Sequence, residues 1–157
     1  KIGITGCPNK CLFVSTTDFG IYGIKTPETN DNCNGCGRCE DVCKINAIEI
    51  TGYNAITNYD LCISCGKCIH ACPNNAKDTK FKGYCLSIGG KSGRETVLGH
   101  EMFVENEDEI YETLDAVFEV YNKFAQNPQR ERLATTIKRM GHLNFFSEVE
   151  KVKLSKK

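Results

Sequence analysis

The sequence has no net charge, since 20 Lys plus Arg balance 20 Asp plus Glu at a pI near 7.0. Without a basic excess there is no electrostatic drive toward nucleic acid or an anionic lipid surface, and neither partner is expected. Apolar length is also lacking. No stretch approaches the ~18 consecutive apolar residues of a membrane span. The first residues lack the basic, apolar and small-residue zones of a secretory signal. A cytoplasmic protein without a membrane span is the expectation. Histidine is scarce: His70, His100 and His142 are not spaced as a metal pair and read as structural or surface residues. An initiating methionine is missing too. The chain opens at Lys1 on residues that read as the middle of a strand, so a fragment of a longer polypeptide is expected.

Cysteine, by contrast, is abundant, with 11 in 157 residues. In a reducing compartment such a count points to metal or cluster ligation rather than disulfides. Eight fall into two runs of identical spacing, C-x2-C-x2-C-x3-C: Cys33, Cys36, Cys39 and Cys43, then Cys62, Cys65, Cys68 and Cys72 followed by Pro73. Three thiolates two residues apart can surround one cluster only where the backbone turns tightly, and Gly35, Gly37 and Gly66 permit that turn. Paired C-x2-C is also a zinc pattern, but tetrahedral zinc draws two cysteines from each of two knuckles, whereas each run here offers a triplet plus a fourth thiolate.

This double run, over about Asn32 to Ala76, resembles the bacterial two-cluster ferredoxins. The resemblance implies two 4Fe–4S clusters with crossed ligation. One would be held by Cys33, Cys36, Cys39 and Cys72, the other by Cys62, Cys65, Cys68 and Cys43. It also implies that the fourth cysteine of each run sits on a short helix that crosses to the other cluster. Between the runs, Ala47–Ile50 and Ala55–Thr57 flank Gly52-Tyr53-Asn54 and predict a strand, a turn and a second strand. Lys44 stands where the second run has Pro73, which leaves the chain after Cys43 less constrained.

Three cysteines remain. Cys7 and Cys11 lie in Thr5-Gly6-Cys7-Pro8-Asn9-Lys10-Cys11, and a lone C-x3-C is a weak signal whose plain reading is two idle thiols at a strand end. Gly89–Arg94 superficially suggests a phosphate loop but lacks its spacing and reads as a tight turn. Cys85 alternates within Tyr84–Ile88 and reads as a small apolar core residue.

Thr5–Cys11, Asp18–Gly23, Gly83–Arg94 and the C-terminal Glu131–Leu133 and Ile137–Gly141 together resemble the sirohaem-dependent sulfite and nitrite reductases. The inserted ferredoxin runs point within that family to dissimilatory and anaerobic sulfite reductase subunits. The resemblance implies that Cys7 and Cys11 supply two ligands of a third 4Fe–4S cluster. Cys11 would also bridge that cluster to the sirohaem iron and so carry the catalytic role, with Asn9 near the macrocycle and Arg94 near its carboxylates. No C-x5-C pair precedes Cys7, so the chain alone cannot complete that site. The coupled third cluster and sirohaem belong to the longer polypeptide, and the fragment by itself is not expected to be active.

The expected fold is α+β: a ferredoxin-like module over residues 25–81 inserted into half of a sirohaem-reductase domain, residues 1–24 and 82–157, with a C-terminal helical segment. There, Ile110, Leu114, Val117, Phe118, Tyr121 and Phe124 recur at helical spacing behind an Asn106/Glu109 capping box, so the aromatic stripe reads as core. A second helix is predicted from about Gln129 to Met140 with Gly141 as its cap, and Lys151–Lys157, with four lysines, as a fraying end. Two functions compete. One is electron transfer within a sulfite reductase that carries out the six-electron reduction of sulfite to sulfide, or the equivalent part of a nitrite reductase, served by a donor protein or reductase subunit. The other is a free-standing two-cluster carrier, which has no use for the Thr5–Cys11 motif.

Overall fold

In the computed structural model, residues 1–156 are described. The order of elements is β1 (Ile2–Thr5), a single 3-10 turn at Val14–Thr16, β2 (Phe19–Thr29), α1 (Arg38–Asp41), β3 (Ile48–Thr51), β4 (Asn54–Thr57), α2 (Lys67–Ala71), β5 (Lys77–Ile88), β6 (His100–Val104), α3 (Glu107–Phe124), α4 (Leu133–Met140) and α5 (His142–Ser155). The architecture is mixed α+β. Strands β1-β2-β5-β6 form one sheet and β3-β4 a separate hairpin. No described helix is long and apolar enough to cross a membrane.

The chain divides into two compact units. The first comprises Lys1–Thr5, Lys10–Tyr22 and the chain from Tyr84 onward; the second comprises Gly6–Asn9 and Gly23–Gly83.

In the first unit β1 runs parallel to β2, with Ile2 opposite Phe19 and Thr5 opposite Tyr22, while β5 and β6 pair antiparallel from Tyr84/Val104 to Ile88/His100. Side chains alternate across a strand. Tyr84, Leu86 and Ile88 accordingly join Phe19 and Val104 in the core, and Cys85 falls on the opposite face. Helix α3 completes this core with Ile110, Ala116, Val117 and Val120, spaced as one helical stripe. Asn106 caps it: its side-chain oxygen accepts the Glu109 N–H at 2.9 Å, while the Glu109 carboxylate accepts from the Asn106 side-chain amide at 3.0 Å and from the Glu105 backbone N–H at 3.2 Å, one residue earlier than in a capping box.

The C-terminal chain departs from the sequence expectation at two points. Helix α4 starts at Leu133 rather than near Gln129, because the preceding residues are used in turns: Tyr121 Oη donates to the carbonyls of Pro128 and Glu131, and the Arg132 guanidinium donates twice to Asp18. Gly141, at φ 84°, ends α4 and at once begins another helix, α5. Phe145 and Val149 of α5 are fully buried with Val152 packed beside them, so residues 151–155 continue a helix instead of fraying. Lys157 lies outside the described residues.

The second unit packs around Cys39, Ile48, Ala55 and Cys68, with Cys33, Cys43, Val42, Ile50 and Ile69 against them. Cysteines of both runs therefore share one small core.

Candidate iron–sulfur centre

Each cysteine run turns on a glycine in left-handed conformation. Gly37, at φ 80°, begins α1, and Gly66, at φ 69°, begins α2. A side chain at either position would be strained, and the left-handed turn lets the third cysteine of each run enter a helix directly after the first two have turned around it. Cys39 and Cys68, the third cysteines, therefore lie on the short helices and are buried. The fourth cysteines do not sit on them, contrary to the sequence expectation. Cys43 follows the end of α1, and Cys72 is the residue that ends α2, at φ −75° and ψ 112°. Pro73 explains the second case, because its ring disfavours helical geometry in the preceding residue.

The thiols gather into two groups. Cys33, Cys36, Cys39 and Cys72 line one void together with Ile50, Ala55, Ala76 and Lys77. Cys43, Cys62, Cys65 and Cys68 line another with Ile45, Ala47, Ile48 and Ile63. Each void thus takes its fourth cysteine from the opposite run. Among the described residues, no three His, Cys, Asp or Glu side chains converge as ligands of a single metal ion do. A cysteine triplet with a fourth thiol from the other run is the donor set that a 4Fe–4S cluster takes, so the residues lining each void fit that group.

Backbone amides face the sulfurs. Ala47 N–H donates to Cys43 Sγ at 3.2 Å, Ala76 N–H to Cys72 Sγ at 3.2 Å and Ser64 N–H to Cys62 Sγ at 3.4 Å. Such bonds favour the thiolate. Cys72 shows it: burial pushes its thiol up, but donation from Ala76, Asn74 and Lys77 outweighs burial and leaves it below the ordinary value. Where burial dominates the reverse holds. The Cys39 thiol is pushed up, and that of Cys68 reaches about 11, even though the Lys77 charge pulls both down.

The second run is fixed in place by Lys25 N–H donating to the Ser64 carbonyl at 2.7 Å and by the 2.9 Å contact of the Thr26 and Ser64 hydroxyls. Asn30 ties the start of β5, its backbone N–H donating to the Ala76 carbonyl at 2.9 Å and its side chain to Asp78 at 2.6 Å. Sequence reasoning passed over Lys77. This residue is 3% exposed, and its Nζ donates to Thr29 Oγ1 at 2.7 Å, Thr57 Oγ1 at 2.9 Å and the Ala55 carbonyl at 3.4 Å.

Asn9 is exposed, lines the void of Cys43 and donates to Cys7 Sγ at 3.4 Å. Cys7 is half-buried, Cys11 exposed and Arg94 exposed on the loop after β5. Cys85 is fully buried, and the Tyr22 hydroxyl hydrogen-bonds both its thiol and the Glu101 carboxylate. His100 and His142, distant in sequence, meet edge-to-face with ring centroids 4.3 Å apart, and Phe146 packs on both.

The fold agrees with that of a solved dissimilatory sulfite reductase I, at a TM-score of 0.66 over 96% of this chain and 42% of that chain; the 20% identity makes it a likeness of fold. The chain is 51% identical over 153 residues to the coenzyme F420-dependent sulfite reductase of Methanocaldococcus jannaschii, covering 97% of this chain and 25% of that protein. It is 45% identical over 49 residues to one of the subunits of the anaerobic sulfite reductase of Salmonella typhimurium, a match over 31% of this chain and 14% of the relative. It thus spans about a quarter or less of these curated relatives' length. The family described as "Nitrite and sulphite reductase 4Fe-4S domain" matches residues 1–157. With its whole length matched and its cysteines so arranged, the chain belongs to the nitrite and sulphite reductase 4Fe-4S domain family.

Proposed function

We propose that this chain is the iron–sulfur electron-transfer part of a sirohaem-dependent sulfite reductase, forming the C-terminal part of a longer polypeptide. The observation that carries the reading is the pair of four-cysteine voids, each completed by the opposite run. When bound, a 4Fe–4S cluster supplies a centre that accepts and releases one electron without bond breaking. The chain's residues do the rest. Cys33, Cys36, Cys39 and Cys72 hold one cluster, and Cys62, Cys65, Cys68 and Cys43 the other. The amides of Ala47, Ser64 and Ala76 withdraw electron density from the sulfurs. Ile48, Ile50 and Ala55 exclude water on the inner side, while Cys36, exposed, offers an outer edge to a donor protein or reductase subunit.

In the longer polypeptide Cys7 and Cys11 would supply two of four ligands to a third cluster, Cys11 would be the thiolate that couples it to sirohaem, and Asn9 and Arg94 would lie near the macrocycle. The sulfite-reductase names of the relatives favour sulfite as the substrate. The test is Cys11→Ser in the longer polypeptide. Sulfite reduction with an artificial donor is abolished while the iron of the two ferredoxin-type clusters is retained. A variant that keeps its sirohaem and its turnover contradicts the assignment and favours a free-standing carrier.

A further inference from the structure

The two cysteine runs are a repeat, and the residues that follow each fourth cysteine superpose step by step. Four residues on, Ala47 N–H donates to Cys43 Sγ and Ala76 N–H to Cys72 Sγ, both at 3.2 Å. Three residues on, Asn46 and Asn75 both take positive φ, 52° and 50°. Five residues on, each half turns a side chain toward its own void, and here the symmetry breaks. The first half places Ile48, 5% exposed, against the void of Cys43, Cys62, Cys65 and Cys68. The second places Lys77, 3% exposed, against the void of Cys33, Cys36, Cys39 and Cys72.

A lysine in the place of a core isoleucine is costly to bury unless its charge is used. Its polar head is fully bonded. Nζ makes three hydrogen bonds, to Thr29 Oγ1, Thr57 Oγ1 and the Ala55 carbonyl, which matches the three donors of an ammonium. The Thr29 hydroxyl gives its own proton to the Ala55 carbonyl at 2.6 Å, so its oxygen can only accept from Lys77. No carboxylate is among these partners. Lys77 lines the void of Cys33, Cys36, Cys39 and Cys72, and reduction would add one electron to a cluster that four thiolates already make negative.

We propose that Lys77 is a buried cation that favours the reduced state of the cluster held by Cys33, Cys36, Cys39 and Cys72, and so makes two symmetric clusters electrically unequal. This rests on the iron–sulfur reading of the two voids. Lys77 is a positioning charge: it touches no electron donor and passes no proton. Each cluster gains one electron from the reductant, its core going from 2+ to 1+, with no bond made or broken.

The test is a redox titration of the cluster-loaded protein, with dithionite as reductant and mediators to set the potential, followed by electron paramagnetic resonance. At the potential where the wild-type cluster beside Lys77 is half reduced, Lys77→Met lowers its ratio of reduced to oxidised at least tenfold, a shift of about 59 mV for a one-electron couple. The other cluster shifts down by less, and Lys77→Arg, which keeps the charge, stays near wild type. Should Lys77→Met not hold its clusters, Lys77→Ile/Thr57→Val installs the isoleucine of the other half and removes the hydroxyl left unpaired, while the Thr29–Ala55 bond remains. The same downward shift is expected there. Unchanged potentials, a larger shift in the second cluster, an equal drop in Lys77→Arg, or failure of both neutral variants to hold clusters that Lys77→Arg holds would overturn the proposal, the last by making the lysine structural. Iron and sulfide counts on the wild type separate the two failures: absence of clusters there sinks the iron–sulfur reading itself.

Discussion

Replacing Cys43 by serine removes one of four thiolates from the void it shares with Cys62, Cys65 and Cys68, together with the sulfur that accepts the Ala47 N–H at 3.2 Å. Cys43 nevertheless belongs in sequence to the run of Cys33, Cys36 and Cys39. Adjacency along the chain and adjacency in space therefore predict loss of different clusters. Two intact clusters hold about eight iron atoms, and losing one leaves about four. That count alone does not say which cluster survives, but pairs of substitutions do. Cys43→Ser with Cys62→Ser strikes a single void, and the double variant keeps about four iron, as each single variant does. Cys43→Ser with Cys33→Ser strikes both voids, and iron falls toward zero. The assay is iron and sulfide quantification on protein prepared without oxygen, with electron paramagnetic resonance of the dithionite-reduced samples to confirm one cluster or none. Were the Cys43/Cys33 pair to retain about four iron and the Cys43/Cys62 pair none, ligation would follow the sequence runs and the crossed arrangement would be refuted.

Two further predictions concern the first unit. Phe145 is fully buried against the α3 core, so Phe145→Ala costs about 3–5 kcal/mol and lowers Tm by roughly 6–20 °C in a calorimetric scan; a change under about 2 °C would mean that α5 does not pack there. Burial pushes the Asp18 carboxyl up, but the Arg132 guanidinium and the Lys1 N-terminal ammonium bonded to it together more than compensate and hold it below its ordinary value of 3.8. The stability these ion pairs contribute is present above that value and is lost as pH falls through the lower folded one. Urea titrations from about pH 5 down to about pH 2 should show a steeper loss in the wild type than in Asp18→Asn, and equal slopes would remove the ion pairs from the account.

What could be read from the sequence depended on whether the signal was local. The β3–β4 turn and the Asn106 cap are short-range patterns, and each element forms where its residues placed it. Helix α5 was missed for a physical reason. Gly141 carries the usual mark of a helix end and does end α4, but the same left-handed residue also starts α5, whose apolar Phe145, Val149 and Val152 sit among lysines and glutamates. The helix position of the third rather than the fourth cysteine depended on Gly37 and Gly66, whose left-handed turn fixes where each helix can begin. The meeting of His100 with His142 is tertiary and has no trace in their spacing. Lys77 reads as surface by composition, and only the alignment of one half of the repeat on the other, which pairs it with Ile48, marks it as a core position.

The central claim is that eight of the cysteines hold two iron–sulfur clusters, and metal analysis of the chain prepared without oxygen tests it most directly. The prediction is about eight iron and eight sulfide per chain, with a broad absorbance at about 400 nm that bleaches on reduction. Stoichiometric zinc without sulfide and without that absorbance would contradict it.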